Sequence, residues 1–192
     1  PLVAIYYKLL RNNIINISLS TFYKYAKFLN LTNLHKPFRK AKQLIGIRAS
    51  KPFEIIHMDI TELRCLDGTK AFISLIVDNF SRTILAAKVS LTKTSEMVLE
   101  NLTSAIDVHH LKNLDFDVSL MVDDGSENKG AVENFISNGS INMKKVIAFI
   151  DVMFSNSMIE AVNKRIKYDY LFRLKPKNFK ELELLLPDIV IN

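Results

Sequence analysis

Three carboxylates, at Asp59, Asp123 and Glu160, stand where a strand or a helix would present them near its end. Asp59 lies towards the end of the alternating segment FEIIHMDIT, which predicts a strand. Asp123 ends the apolar run in LMVDDGSEN, where we expect Gly125 to turn the chain away and leave the carboxylate exposed at the strand edge. Glu160 falls near the first turn of a helix predicted over 156–172. Taken singly, each acid is typical of an ordinary solvated side chain.

Taken together, the three carboxylates favour a site for hard divalent cations. Mg²⁺ takes oxygen ligands and keeps several waters, so two or three carboxylates are enough to hold it. Two such ions about 3.5–4 Å apart can activate an attacking oxygen and stabilise a leaving one in phosphodiester chemistry. Carboxylates that converge without metal repel one another, which is a reason to find them at a site rather than in a core.

The helix predicted over 156–172 divides into an apolar side and a polar side. The side that can face the core carries Met158, Val162 and Ile166. The opposite side is expected to carry Glu160, Asn163, Lys164 and Lys167. Such an arrangement would set a carboxylate beside donors that can grip a phosphate strand. The alternative is an ordinary i,i+4 ion pair of Glu160 with Lys164, worth a few tenths of a kcal/mol.

The elements that must position these residues form an α/β domain beyond Pro52. Strands are predicted at FEIIHMDIT, AFISLIVD, TILAAKVS, DVSLMV and KKVIAFI. Short turns, the first at Asp67-Gly68, join the first three strands into an antiparallel meander. Helices are predicted over 95–110 with Thr94 as its cap, at AVENFISN, over 156–172 and over about 178–186. The order β-β-β-α-β-α-β-α predicts a mixed sheet flanked by helices.

The chain before this domain is strongly basic. Residues 1–53 contain ten Lys or Arg and no Asp or Glu, whereas the other 139 residues carry 16 basic and 20 acidic side chains. A basic head on a mildly acidic body favours a module that binds a polyanion. A basic arm that serves only solubility is the alternative.

Residues 1–32 predict a helix-turn-helix segment. A helix over 2–11 has an apolar stripe at Leu2, Ile5, Tyr6 and Leu9, and a second helix is predicted to start near Ser20 as N-cap, with apolar positions at Phe22, Tyr25, Ala26 and Leu29. The polar side of this second helix includes Lys24 and Lys27, which are candidate DNA contacts. An ordinary helical hairpin is the alternative. Because residue 1 is Pro, we expect upstream helices to be missing from this segment.

Residues 33–52 are basic and poorly periodic, with breakers at Pro37, Gly46 and Pro52. This pattern predicts a linker that tracks a phosphate backbone through Arg39, Lys40 and Lys42, or one that is merely solvated. The catalytic domain is then expected over 53–192.

Several other classes of protein are excluded. No apolar run approaches the roughly 18–20 residues of a membrane span, and no secretory signal pattern opens the chain. Cys65 is the only cysteine, so neither a disulfide framework nor a thiolate metal cluster can form. We expect a reducing, intracellular setting in which the protein is associated with DNA.

Four segments, HMDIT, IVDNFSRTILAAKVS, VDDGSEN and SNSMIEAVNKRIKYDYL, resemble in order and spacing the catalytic core of insertion-sequence transposases and retroviral integrases. The resemblance covers roughly residues 50–190, and the basic head fits the layout of that family. It implies a ribonuclease-H-like fold with a five-stranded sheet. It also implies a triad of two Asp and one Glu that uses two Mg²⁺ or Mn²⁺ ions.

Carried over residue by residue, the resemblance identifies Asp59, Asp123 and Glu160 as the catalytic and metal-binding triad, with Asn163 and Lys167 matching later positions of the helix motif. The Ser81-Arg82 pair matches the family's turn after the second strand, where the resemblance implies a structural role. His57, two residues before Asp59, is expected to be a packed or solvated histidine.

One departure leaves the second carboxylate open between two neighbours. The family usually has Asn or another small or polar residue after its second Asp, and here that residue is Asp124. There are 36 residues between Asp123 and Glu160 and 35 between Asp124 and Glu160, and the shorter spacing is the one common in the family. We prefer Asp123 because it directly continues the apolar strand and because the D-G-S-E turn after it aligns with the family's pattern.

The activity implied is metal-dependent transposition of DNA. Water would cleave at the ends of a mobile element to free a 3′-hydroxyl, which would attack a target phosphodiester without a covalent enzyme intermediate. We expect a homo-oligomer on DNA, with Lys164 and Lys167 positioning the strand. Two rivals are a DNA-binding repressor of transposition with a dead core and a nuclease of the same fold that acts on RNA–DNA hybrids. The intact triad disfavours the first, and the basic head disfavours the second.

Overall fold

A computed structural model describes residues 2–32, 47–139, 141–148 and 156–191, with the side chain of Ile191 left out. The chain divides into two compact units, one ending at Leu44 and the other covering Ile45–Ile191. The predicted domain boundaries at residues 32 and 52 stay predictions, and Arg39, Lys40 and Lys42 lie outside the described residues.

The first unit contains the two predicted helices, α1 (Leu2–Arg11) and α2 (Leu19–Phe28). Tyr6 is buried, its ring centroid lies 5.4 Å from that of Phe22, and its hydroxyl donates to the carbonyl of Ile17 over 2.9 Å. These contacts close α2 back onto α1 across the polar break. The helix-turn-helix role of the pair stays a prediction.

Two details predicted for α2 are wrong. Ser18, not Ser20, is the N-cap, because Ser18 has extended backbone and its hydroxyl accepts the N–H of Thr21. Of the predicted apolar positions, Ala26 is buried, whereas Tyr25 and Leu29 are about 60% exposed. A ten-residue helix packed on a single neighbour has only a narrow buried stripe, so residues at its margin stay in solvent.

The second unit contains the predicted five-stranded mixed sheet. Its strands are β1 (Ile55–Arg64), β2 (Lys70–Asp78), β3 (Ile84–Ser90), β4 (Val118–Val122) and β5 (Met143–Ile147). The spatial order is β3-β2-β1-β4-β5. β1, β2 and β3 form the expected antiparallel meander, and β4 and β5 extend it in parallel from β1. β1 is therefore the central strand.

One face of the sheet packs against α3 (Ser95–Val108) and α4 (Ala131–Ser137). Thr94 caps α3 as predicted, since its side chain accepts the N–H of Met97. The core on this face joins Ile56 and Met58 of β1 to Leu102 and Ile106 of α3. All four side chains are at most 1% exposed, so the first half of β1 presents its even-numbered residues to this core.

The opposite face packs against the C-terminal helices. They are α5 (Ser157–Arg165), a π-helical segment (Ile166–Leu171) that continues directly into α6 (Phe172–Leu174), and α7 (Phe179–Ile191). The core on this face joins Leu75 and Val77 of β2 to Ile159, Ile166 and Leu182. Because β1 and β2 are buried on both faces, the sheet has little freedom to shift.

The predicted division of the helix into faces is partly wrong. Ile166 is buried and Met158 and Val162 pack against the core, as expected, but Ile159 is fully buried and Asn163 is only 6% exposed. Asn163 thus does not share the open side of the helix with Lys164. The reason is that its amide has a buried hydrogen-bond partner on β1, which sequence periodicity cannot show.

The last helix extends further than the sequence predicts. α7 continues to Ile191 with Pro187 inside it, whereas the prediction ended the helix near residue 186. A proline inside a helix costs about 3 kcal/mol. Beyond Pro187, Ile189 is buried and Val190 packs against the same core, and burying a side chain of this kind contributes about 1.5–3 kcal/mol. Burial of the two residues is enough to offset the proline.

The end of the predicted linker is also part of the second unit. Ala49 donates its N–H to the Asn79 side chain over 2.8 Å, and the Glu54 carboxylate accepts the hydroxyl of Ser50 over 2.8 Å. The Lys51 ammonium lies 3.4 Å from the centroid of the Phe116 ring. Residues 47–52 are therefore tied to the second unit, although their composition is that of a linker.

None of the helices within the described ranges is long and apolar enough to cross a membrane.

The continuation of α7 past its proline can be tested with Ile189→Ala. Ile189 is buried in the core, so we expect a loss of about 2–4 kcal/mol in the free energy of unfolding, measured by urea denaturation. The matched control is Leu184→Ala on the same helix, where the side chain is 71% exposed and the change should stay within about 0.5 kcal/mol. Equal effects of the two variants would contradict a helix that packs beyond Pro187.

Candidate functional site

Asp59 lies in the middle of β1 and not towards its end as predicted, because β1 continues to Arg64. Its side chain is on the face covered by α5. One of its carboxylate oxygens accepts the N–H of Ile60 over 2.8 Å, and the other accepts the amide of Asn163 over 2.7 Å. The parallel register pairs His57 with Met121, so continuing it by two residues brings Asp59 level with Asp123. The strand pairing thus places the first two carboxylates side by side at the end of β4.

The pKa of Asp59 is raised from 3.8 to about 6. Burial is the largest cause, because desolvation disfavours the charged form, and the negative charges of Asp123 and Glu160 raise the pKa further. The hydrogen bonds from Ile60 and Asn163 act in the opposite direction. The carboxyl therefore lies within the electrostatic range of both other members of the predicted triad.

Asp123 follows β4 and is held in a compact turn. Its Oδ1 accepts the side-chain amide of Asn128 over 2.6 Å and the N–H of Gly125 over 3.1 Å. The carboxylate is exposed at the strand end, where the chain turns away as expected, but the turn does not need the conformational freedom of Gly125. Gly125 has an ordinary φ of −65°, and a Cβ there would stand 2.5 Å from Glu127 Oε1. It is glycine because the buried Glu127 carboxylate, paired with Lys93 over 2.6 Å, occupies that space.

The neighbouring Asp124 points elsewhere. Its carboxylate is about half exposed and pairs with the ammonium of Lys129 over 2.9 Å. Among the charges that shift the pKa of Asp59, Asp123 and Glu160 are present and Asp124 is not. The geometry therefore favours Asp123 as the second carboxylate, in agreement with the preference drawn from its place after the apolar strand.

Glu160 is exposed in the first turn of α5, and no ion pair joins it to Lys164 in the part of the chain that the structure describes. The i,i+4 pair that was the alternative explanation for these residues is thus not formed. Lys164 is exposed and Lys167 is half-buried near Glu62, whose pKa it helps to lower. In the first unit, Lys24 and Lys27 are exposed.

The donor set fits a hard divalent cation in chemistry. Asp59, Asp123 and Glu160 offer carboxylate oxygens, the ligands that Mg²⁺ and Mn²⁺ prefer, and the repulsion that raises the pKa of Asp59 would be relieved by a cation. Within the described ranges, no group of three His, Cys, Asp or Glu residues is close enough to hold an ion as it stands. The carboxylates therefore have to move together on binding a metal.

Asn163 is the residue that links α5 to the first carboxylate. Its amide nitrogen donates to Asp59, while its Oδ1 is buried and, among the described residues, has no hydrogen-bond partner. An unpaired buried oxygen costs about 1–3 kcal/mol, so it marks a place where a further donor, such as a water, would be stabilising. The site thus has an unused acceptor directly beside Asp59.

A relay of three buried, hydrogen-bonded polar side chains supports the site from the N-terminal side of Asp59 on β1. Asn79 accepts the N–H of Ala49 through Oδ1, which fixes its amide so that Nδ2 donates to His57 Nε2 over 2.8 Å. His57 Nε2 is therefore an acceptor, and Nδ1 carries the proton that is donated to Oδ1 of Asn156. Burial lowers the pKa of His57, because desolvation disfavours the charged imidazolium. The expectation of a packed histidine is met.

The relay connects three elements around the site. His57 lies two residues before Asp59 on β1, Asn79 follows β2, and Asn156 immediately precedes α5 and the turn that carries Glu160. Its members are buried, with between 2% and 7% of each side chain exposed. The start of α5 is thus held against β1 by directional hydrogen bonds as well as by apolar packing.

The sequence did not predict a supporting role for three residues of the site, namely Asn79, Asn128 and Asn156. Each stands inside a segment that was singled out, in VDNFSR, VDDGSEN and FSNSMIE. Asparagine is common in exposed turns, so its type and position alone do not distinguish a buried hydrogen-bonding role from a solvated one.

The raised pKa of Asp59 predicts an unusual pH dependence in metal-free protein. Because the folded pKa lies above the unfolded value of 3.8, Asp59 alone should contribute a loss of about 3 kcal/mol of stability as pH rises from about 4 to about 6. Asp59→Asn should remove this loss and raise Tm at pH 7.5 in the presence of a chelator, measured by thermal unfolding.

The control for this measurement is Asp124→Asn, because that carboxylate is exposed and paired with Lys129, and its removal should change Tm little. A lower Tm for Asp59→Asn at pH 7.5 would contradict the assigned pKa.

The buried relay predicts a clear cost for Asn79→Ala. The change leaves His57 Nε2 and the N–H of Ala49 without partners, so the free energy of unfolding should fall by about 1–3 kcal/mol in urea denaturation. Asn134→Ala, at an exposed position of α4, is the control and should be neutral or slightly stabilising. A neutral Asn79→Ala would show that the relay carries no stability.

Comparison with known proteins gives structural matches alone. No protein-family model and no curated protein matches the sequence. The HTLV-2 integrase catalytic core domain in complex with magnesium (trimeric form) matches with a TM-score of 0.52 and 18% identity, over 74% of this chain and 86% of that chain. The catalytic core domain of BIV integrase matches with a TM-score of 0.52 and 19% identity, over 72% of this chain and 82% of that chain.

A chain of the simian T-cell lymphotropic virus intasome, solved in complex with PP2A regulatory subunit B56 gamma, matches with a TM-score of 0.55 and 21% identity. The match covers 73% of this chain and 49% of that chain, so it spans about half the length of the matched intasome chain. At these sequence identities, the matches are evidence for the fold alone. The second unit of the chain therefore has the ribonuclease-H-like fold of the retroviral integrase catalytic cores.

Proposed function

We propose that the protein catalyses metal-dependent cleavage and strand transfer of DNA during transposition. The observation that carries the proposal is that Asp123 and Glu160 both act electrostatically on the buried Asp59, although the three come from a strand, a strand end and a helix far apart in sequence. Carboxylates are brought together at a cost in repulsion, and phosphoryl transfer with two divalent ions is the chemistry that uses such a set. The integrase-core fold supports the same reaction class.

Each member of the triad is prepared for its part by its neighbours. Asp59 is oriented by the Ile60 N–H and the Asn163 amide, and Asp123 by Asn128 and the Gly125 N–H. Glu160 stands on the exposed side of α5 and supplies a carboxylate that can rotate towards the other two. Mg²⁺ or Mn²⁺, bound by the three carboxylates, would supply an activated oxygen nucleophile and charge stabilisation at the phosphorus.

The DNA strand is proposed to lie along the exposed side of α5. Lys164 and Lys167 would contact its phosphates, while Asn163 acts on Asp59 rather than on DNA because its amide is buried. The first unit, with Lys24 and Lys27 exposed, would help to recognise the element's ends. The simian neighbour is part of an intasome and the HTLV-2 core is trimeric, which supports action as a homo-oligomer on DNA.

A catalytically inactive regulator of transposition is the rival function. Such a protein would have no reason to keep a buried carboxylate whose charge is disfavoured by its surroundings. Asp59 retains both its raised pKa and its hydrogen bond to α5. This feature favours the enzyme over the regulator.

The proposal is tested by a strand-transfer assay on candidate element ends with Mg²⁺ or Mn²⁺. Asp59→Asn, Asp123→Asn and Glu160→Gln should each lower the rate at least about 100-fold, because each removes a ligand that stabilises charge in the transition state. Mg²⁺ should also raise the Tm of the wild type and not that of Asp59→Asn, which reports metal binding independently of turnover.

Asp124→Asn is the matched control, since it changes the adjacent carboxylate and should retain activity. Full activity in Asp123→Asn together with an inactive Asp124→Asn would reverse the assignment of the second carboxylate. Undiminished metal-dependent activity in Glu160→Gln would refute the triad itself.

A further inference from the structure

A cleft that is separate from the triad opens beside the turn between β2 and β3. It has a volume of about 300 Å³ and is lined by Arg48, Ala49, Asn79, Phe80 and Arg82. Two of its five lining residues carry a positive charge, and none carries a negative one. The triad carboxylates do not line it.

Within the described ranges, no carboxylate lies within 4.0 Å of the guanidinium of Arg48 or Arg82. The acid nearest to Arg82 in sequence, Asp78, is buried, and it accepts the N–H of Phe53 over 3.0 Å and both the N–H and hydroxyl of Ser81. A pair of unpaired guanidiniums around a concave surface is suited to phosphate, which Arg binds in a bidentate manner.

Arg82 stands in a backbone conformation that arginine disfavours. Its φ is +66°, in the left-handed region where Gly or Asn would be less strained. The turn itself is held by Ser81 and Asp78, so it does not need the arginine side chain in order to form. A strained residue kept where Gly would fold more easily indicates a function for its side chain.

The floor of the cleft is rigid, and its wall offers an aromatic surface. Asn79 is 2% exposed and donates to both His57 and the Ile47 carbonyl, while it accepts the N–H of Ala49. These bonds hold the segment with Arg48 against the turn with Arg82. Phe80 is 49% exposed at the same place, with its ring available to stack on a planar group.

The cleft lies close to the triad along β1. Asn79 contacts His57, and Asp59 is two residues further on the same face of the strand. At about 3.3 Å per residue, this separation is roughly 7 Å along the strand, plus the reach of the side chains. Phosphates follow one another about 3.4 Å apart along the axis of one DNA strand, so a strand at the triad reaches the cleft within a few nucleotides.

We propose that this cleft binds a phosphate in an unpaired DNA strand next to the cleaved phosphodiester, with Arg48 and Arg82 on the phosphate and Phe80 stacked on an adjacent base. The proposal rests on the proposed function for its location beside the scissile bond. It assigns to the Ser81-Arg82 turn a binding role in addition to its structural one.

The test measures binding of the full chain to a fluorescein-labelled twelve-nucleotide oligothymidylate over a range of salt concentrations. Arg48→Gln and Arg82→Gly should each weaken binding and reduce the slope of log K against log salt by about 0.7, the value for one phosphate contact on a single strand. Phe80→Ala should weaken binding at least about 5-fold without changing this slope.

Arg82→Gly carries a second expectation that a purely structural arginine would not meet. Because Gly relieves the left-handed backbone, Tm should stay unchanged or rise by a few degrees while binding weakens. Arg48→Gln, at a position without a positive φ, shows the binding effect separately from any change in the turn.

The matched control is Arg173→Gln. Arg173 is exposed in α6, just before the segment at Pro176 that hydrogen-bonds to Leu66 beyond the opposite end of β1. The Arg173→Gln substitution also removes one positive charge, and it should leave both Kd and the slope of log K against log salt unchanged. Equal effects in Arg173→Gln and Arg82→Gly would show that the oligonucleotide is held only by the general positive charge of the protein. This result would overturn the proposal.

Competition distinguishes a DNA strand from a free phosphate compound. Thymidine monophosphate and inorganic phosphate at millimolar concentration should not displace the oligonucleotide, whereas unlabelled oligothymidylate should. Full displacement by thymidine monophosphate would make the cleft a mononucleotide site and overturn the proposal. Metal-dependent strand transfer with unaltered binding in the cleft variants would refute this inference alone. Cleft-dependent binding without any strand transfer would instead refute the proposed function.

Discussion

The parallel pairing of β1 with β4 is the constraint on which the site depends. It pairs His57 with Met121, two residues before Asp59 and Asp123, and so directs the two carboxylates to the same region at the end of β4. Because β1 is also paired with β2 along nine residues and buried on both faces, it cannot slide to relieve their repulsion. The energy of the large core thus holds a buried carboxylate in an unfavourable place, and the pKa of Asp59 is raised mainly by this burial and further by the charges of Asp123 and Glu160.

Asparagine side chains connect this strained centre to the rest of the domain. Asn163 fixes Asp59 to α5, Asn128 fixes Asp123 within its turn, and Asn156 joins the start of α5 to His57. An amide both donates and accepts while staying neutral, so it can orient a carboxylate or an imidazole without adding charge to a site that already repels itself. The proposed cleft uses the same device, since Asn79 holds its floor.

Much of the fold could be predicted from the sequence, because the alternation of FEIIHMDIT and the apolar runs of the other strands reflect burial directly. The order of these elements, with the Thr94 cap and the turn at Asp67-Gly68, led to the mixed five-stranded sheet that the structure contains. The predictions failed where distant contacts decide, at the exposed Leu29 and at the helix that continues past Pro187. In each case packing outweighs a local preference.

By itself, the sequence determined the elements and identified three acids on them, because local periodicity and turn chemistry depend on neighbouring residues. Only the tertiary structure showed that Asp123 and Asp124 have different partners, since the two differ in direction rather than in type. It likewise turned Asn163 inward and brought Arg48 beside Arg82 across more than thirty residues of chain. Direction, burial and long-range proximity are properties of the packed sheet and its helices, so no segment of the sequence contains them alone.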